Sequence, residues 1–224
     1  MTLGAHGPII RRNIPGLETF REILLDGTLL TPLGAAWTAA VTGSGGTNEY
    51  PSYKQANTGT TTGSTSRLYV PNILLPGTDF PVDFSKRLLW SFVLSRAVAT
   101  DAAIIASIQL KVATTEGALA AAGLGVRIAN LTLTGESYGT SGAFTGTIQT
   151  MVLTDAYHIL VDHEPAVPRI RWYVNGVLQA TQSTAGNQPT ASLANTVWMM
   201  SILNGAGTAN GYVQLSAPQI FQEH

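Results

Sequence analysis

The stretch from Asp155 to Thr181 constrains the fold more than any other part of this chain. Asp155 to Asp162 reads as a strand, prolines at 165 and 168 bound a loop, and Pro168 to Thr181 reads as a hairpin closed at Asn175-Gly176. A two-residue type I′ turn needs positive φ at both central positions, which Asn and Gly tolerate. That turn pairs Val174 with Val177 and Tyr173 with Leu178. Both hairpin faces then carry apolar side chains, with Ile170 and Trp172 on the first, so both faces are predicted to be covered. Val197 to Leu203 has the same two-sided character.

The same alternation recurs upstream. Leu88, Trp90, Phe92 and Leu94 alternate with Leu89, Ser91, Val93 and Ser95, and Ile104, Ala106, Ile108, Leu110 and Val112 alternate with Ile105, Ser107, Gln109 and Lys111. Period-2 patterning with one apolar face marks sheets half-buried against one another. Further strands are predicted at 126–134, 148–153, 157–161, 170–174, 177–181, 197–203 and 212–217. Gly117 to Gly125 reads as a loop or a short helix. Many short strands and almost no helix give an all-β chain, an antiparallel β-sandwich or jelly roll. Thr42 to Ser66, dominated by Gly, Ser, Thr and Asn, reads as a long surface loop interrupted by Tyr50, Tyr53 and Lys54.

The 224 residues are expected to form an N-terminal arm over 1–33 and one sandwich domain over 34–224. Within the arm, Pro15 to Gly27 fits a short helix, and Ile23 to Leu30 equally fits a hairpin around Asp26-Gly27. The first dozen residues suit an arm reaching onto a neighbour or a frayed terminus. Their charges follow the short apolar pair, the reverse of a signal peptide, and no run reaches membrane-spanning length. Synthesis in the cytosol is expected, with no membrane partner.

Charge narrows the partners. The net charge of -1 comes from 12 basic and 13 acidic residues scattered along the chain, so nucleic acid is not an expected ligand. Cysteine is absent, which removes disulfides, thiolate metal sites and cysteine nucleophiles. Charged residues make up 11% of the chain and hydrophobic ones 45%. Such a shortage of charge implies an exterior partly covered by other subunits, unless Thr, Ser, Asn and Gln alone keep it solvated.

The runs Tyr157 to Asp162 and Arg171 to Leu178 resemble the strand and hairpin of the concanavalin A-like lectin and glucanase superfamily, including its laminin-G-like and pentraxin-like branches. Asp79 to Phe84 and Leu89 to Phe92 are similar to the strand entry common there, and Ile220-Phe221 to its closing strand. The resemblance covers residues from about 65 to 221 and implies the fold, which hosts lectins, hydrolases, adhesion modules and viral structural domains alike.

Glucanases of that superfamily carry three acids at alternate positions of one strand, placing a nucleophile and an acid/base on one face. Here only Asp162 and Glu164 have that spacing, flanked by Leu160 and Ala166, with Pro165 interrupting the strand. No catalysis and no cofactor are therefore expected. Asp162, His163 and Glu164, with His158 nearby, offer metal-ligand chemistry, but solvated loop residues are the expected state. Asp79 and Asp83 similarly offer calcium ligation or, more simply, turn capping. Ser, His and Asp form no recognisable triad, Gly43 to Gly46 precedes no helix, and the sequon at Asn130 lacks an export signal. Tyr50, Tyr53, Arg67 and Tyr138 are candidate contacts, to a glycan through ring stacking or to a protein interface.

The sequence thus points to a non-enzymatic structural subunit, a homo-oligomer located in a virion. It would be a capsid decoration or fibre component of a bacteriophage, contacting copies of itself or a major capsid protein. A carbohydrate-binding, lectin-like module is the alternative.

Overall fold

The computed structural model describes residues 20–23, 25–26, 31–32, 37–49, 53–70, 82–97, 104–112, 117–152, 155–190, 196–205 and 210–223. Alternating burial organises the strands into two antiparallel layers. In chain order they are β1 (Phe20–Ile23), β2 (Leu25–Asp26), β3 (Thr31–Pro32), β4 (Thr38–Thr42), β5 (Gly46–Glu49), β6 (Lys54–Asn57), β7 (Thr65–Val70), β8 (Leu88–Ala97) and β9 (Ile104–Lys111). The second half contributes β10 (Gly123–Ala129), β11 (Thr132–Gly139), β12 (Gly142–Thr150), β13 (Ala156–Glu164), β14 (Arg169–Val174), β15 (Val177–Gln182), β16 (Val197–Asn204) and β17 (Tyr212–Glu223).

Among the described residues, one sheet has eight strands in the order β15-β14-β13-β8-β17-β6-β5, with β1 also pairing β17. The other has seven in the order β12-β11-β10-β9-β16-β7-β4. The two form an antiparallel β-sandwich, as the alternation predicts. The tryptophans join its layers. Trp90 of β8 meets Trp198 of β16 edge-on at 5.8 Å, and Trp37 lies 5.7 Å from Trp198. Trp172 of β14 crosses the interior to donate from Nε1 to the Gly125 carbonyl of β10 at 3.0 Å, and stacks on Phe144 of β12. Burying rings of this size supplies the largest single apolar contributions to a core.

The β14–β15 hairpin forms as the sequence requires. Asn175 and Gly176 have φ of 50° and 82°, and Val174 pairs Val177 while Tyr173 pairs Leu178. The Asn175 side chain also accepts from the His158 backbone N–H at 2.9 Å, tying the turn to β13.

Several expectations need correction. The Thr42–Ser66 loop contains β5, β6 and the start of β7, because its polar residues find internal partners. Thr58 exchanges hydrogen bonds with Gly211, and Gly59 donates to Asn210 Oδ1. Gly59, at φ +63°, passes so close to Ser44 that a Cβ would lie 2.1 Å from its carbonyl oxygen. The single strand predicted at 126–134 is two strands, β10 and β11, folded at Asn130-Leu131 with φ of 47° and 61°. Leucine rarely adopts positive φ, so the turn carries no compositional sign. The strand predicted at 148–153 is the last part of β12, which begins at Gly142. No helix forms over 117–125, which bends into β10.

In the 1–33 segment the described residues are strands: β1 pairs β17, and β2 pairs β3 with Leu25 opposite Pro32 and Asp26 opposite Thr31, so the helix expected over Pro15 to Gly27 does not form at 20–23 and 25–26, and the pairing lies beyond the hairpin expected around Asp26-Gly27. Residues 1–19 lie outside the described residues. Of the two segments predicted to be covered on both faces, β16 is: Val197 and Met199 are buried although they lie outside the inter-sheet core. On β15 the prediction fails, since Val177 and Leu178 remain 60% and 49% exposed.

Candidate binding surfaces

Alternation along β7, β9, β10, β11 and β16 turns a second set of side chains away from the core. On this outer face of the seven-stranded sheet, Gln109 donates from Nε2 to Glu136 Oε2 at 3.0 Å and to the Gly117 carbonyl at 2.9 Å. It reaches Glu136, two strands away, by lying over Gly125, the residue that pairs with both. Arg127 holds the other Glu136 oxygen through Nε. Beside them the Ser107 and Ser201 hydroxyls share a hydrogen bond of 2.7 Å. Glu136 is the one carboxylate carried by the seven strands, and it is 1% exposed.

Arg67 of β7 and Tyr138 of β11 both belong to this outer face, but β10, β9 and β16 separate their strands. Four inter-strand steps, together with an offset of register along the strands, place them more than about 19 Å apart. Tyr53 precedes β6 in the other sheet, and Tyr50 lies outside the described residues. Arg67 and Tyr138 therefore do not converge.

Asp162 and Glu164 are paired with arginines. Arg87 grips Asp162 with Nε to Oδ1 at 3.0 Å and Nη2 to Oδ2 at 3.1 Å, and Arg171 bonds Oδ2 as well. The hydrogen bond and charge of Asp162 hold the Arg87 guanidinium above its usual range, against an opposing cost of burial. Glu164 pairs with Arg169, and Arg171 approaches it at 3.6 Å. His163 points the other way, into the interior beside Phe84 at 5.9 Å. Burial lowers its pKa to about 4, opposed by the Asp162 charge and the Pro189 carbonyl. His158 instead shares a 2.8 Å hydrogen bond with Ser91. Side chains on opposite faces cannot meet at one ion, so the metal reading of 162–164 fails. Among the described residues no group of three His, Asp or Glu side chains gathers to hold a metal. Asp83 caps its own turn by accepting from Ser85 N–H at 2.8 Å, while Asp79 lies outside the described residues.

A different surface stands out by what it lacks. Strands β12 and β15, the edges of the two sheets, lie on one flank of the sandwich, where an added Gly146 Cβ would approach Ala180 Cβ at 3.9 Å. Their exposed residues include Ala143, Thr145, Thr147, Val177, Leu178 and Thr181, and neither strand carries a charge. The signal was available in the sequence. No Asp, Glu, Lys or Arg occurs between Trp172 and Gln222, nor between Ser137 and Thr154.

No known family matches the sequence, and no curated protein matches it. Solved structures do. A Bacillus licheniformis β-glucanase aligns with 85% of this chain and 92% of its own at 13% identity and a TM-score of 0.56. The fold is the concanavalin A-like jelly roll. A sialidase aligns over 84% of this chain at 12% identity and a TM-score of 0.56. A structure concerning the interaction of botulinum neurotoxin type C with two ganglioside molecules aligns over 85%, at 12% identity and 0.53. The chain spans 17% of the sialidase and 44% of the toxin structure, and at these identities the likeness is one of fold.

Proposed function

We propose that this jelly roll is a non-enzymatic structural subunit that works by burying its β12–β15 flank against other protein subunits. The assembly we infer is a virus particle, with the chain as a capsid decoration or fibre component of a bacteriophage. One observation carries the reading: an outer flank that exposes Val177 and Leu178 and has no charged residue on either strand. Burying such a surface costs little desolvation, whereas leaving it in water forgoes the interspersed charge that keeps monomers apart. The neutralisation of Asp162, Glu164 and Glu136 by arginines also leaves these acids without the free pairing that acid/base chemistry needs.

Replacing Val177 and Leu178 by Glu tests the reading. Self-association, or addition to purified capsids, is expected to weaken by at least about tenfold, because charge is then forced into the buried patch. Equal association of the variant and the native chain would contradict it.

A second reading, a carbohydrate-binding module, has its own support. Arg67, Tyr69 and Tyr138 are half-exposed on the outer face of the seven-stranded sheet, and neighbours of this fold include a glucanase and a toxin that interacts with gangliosides. Retention on a glycan array that is lost in Arg67→Ala or Tyr138→Ala, with the β15 variants unaffected, would favour it.

A further inference from the structure

The geometry points to the partner of this flank: a second copy of the chain, joined by antiparallel pairing of β12 with β12 about a two-fold axis at Thr145. The inference rests on the assembly reading and makes it specific. Strand β12 has nine residues, against five in β4, six in β15 and four in β5, so it is the longest of the sheet-terminal strands. An edge strand presents unpaired backbone donors and acceptors, and chains that remain single protect such edges with charge, proline, brevity or a bulge. From Gly142 to Thr147 β12 has no charge, proline or bulge; its bulge falls beyond that run, at Ile148, where the register against β11 shifts between Leu133 and Thr134.

The strand is also held ready to template another. Phe144 stacks on Trp172 and Ile148 is buried, so the inward side chains fix its position. The outward ones, Ala143, Thr145 and Thr147, are small or β-branched and suit a pleated surface. Antiparallel pairing centred on Thr145 sets Thr145 opposite its own copy and Ala143 opposite Thr147. Cross-strand Thr pairs are favourable, and no like charges meet. A self-complementary patch of this kind generates a closed two-fold dimer. Strand β15, equally uncharged, lies alongside on the same flank and would enter the same interface.

The absence of cysteine provides a clean test. Single replacements Thr145→Cys and Val167→Cys, the latter in an exposed turn outside the flank, are oxidised under mild conditions in the full chain. Thr145→Cys is expected to form a disulfide dimer at least about tenfold faster, because directly opposed strand residues bring Cβ atoms within about 5 Å. Thr145→Lys is expected to weaken dimerisation by at least about tenfold, since two ammonium groups would face each other. An oligomer that persists in Thr145→Lys and cross-links no faster at Thr145 than at Val167 overturns the edge pairing while leaving the assembly reading intact. A chain that stays monomeric and joins no particle overturns both.

Discussion

Gln109 and Glu136 hydrogen-bond at 3.0 Å although a whole strand lies between theirs, because the residue in the gap is Gly125. The side chain of Gln109 runs where a Cβ on Gly125 would stand. Such a Cβ would be 2.8 Å from Gln109 Cγ and 2.4 Å from the Ile108 carbonyl oxygen.

Gly125→Ala is therefore expected to destabilise the fold by about 2 kcal/mol, the usual cost of overpacking where a backbone atom must yield. Urea denaturation measures it. Because Gly125 also supplies the carbonyl that Trp172 binds, the strain acts on both faces of β10.

Trp172→Ala is expected to cost about 4 kcal/mol, combining a large cavity with loss of the bond to Gly125 O. The same ring covers Gly135, whose Cβ would come within 2.6 Å of it. A denaturation midpoint shifted by the equivalent of less than about 1 kcal/mol would mean that the sheets are not tied at this point.

The legibility of the fold followed the strength of each local signal. The alternation of β8, β9 and β14 and the Asn175-Gly176 turn were readable because each apolar residue had one face to occupy. The β10–β11 turn was not, since Leu131 at φ 61° is a choice that only tertiary contact permits. There, the Leu131 carbonyl accepts from Met151 N–H at 2.7 Å. Strands β5 and β6 were hidden by a loop-like composition whose polar groups are satisfied by distant partners. Of the site candidates, Arg67 and Tyr138 were placed on one sheet face but not together. Gln109, Arg127 and Glu136 were missed because their association spans three strands and depends on a glycine between them.

His163 makes stability depend on pH in a defined direction. Its folded pKa of about 4 lies below the unfolded value of 6.5, so between these values the unfolded chain binds a proton that the native one does not. Stability should rise from about pH 4 to about pH 6.5 and, for this group, stay level outside that window, with a span of about 3 kcal/mol. His163→Leu should flatten that slope relative to the native chain. An unchanged slope would show that His163 titrates normally.

Asn175→Ala should destabilise by about 2 kcal/mol, through positive-φ strain and loss of the bond to His158 N–H. Asn175→Gly, which relieves the strain alone, should cost less. Equal losses would place the whole effect in the hydrogen bond.

The central claim is that the uncharged flank is buried against other subunits, and sedimentation equilibrium of the native chain across a concentration series tests it most directly. The account predicts a mass that rises in whole multiples of the 23.6 kDa chain. A single 23.6 kDa species at every concentration, bound to glycans and indifferent to purified capsids, would contradict it.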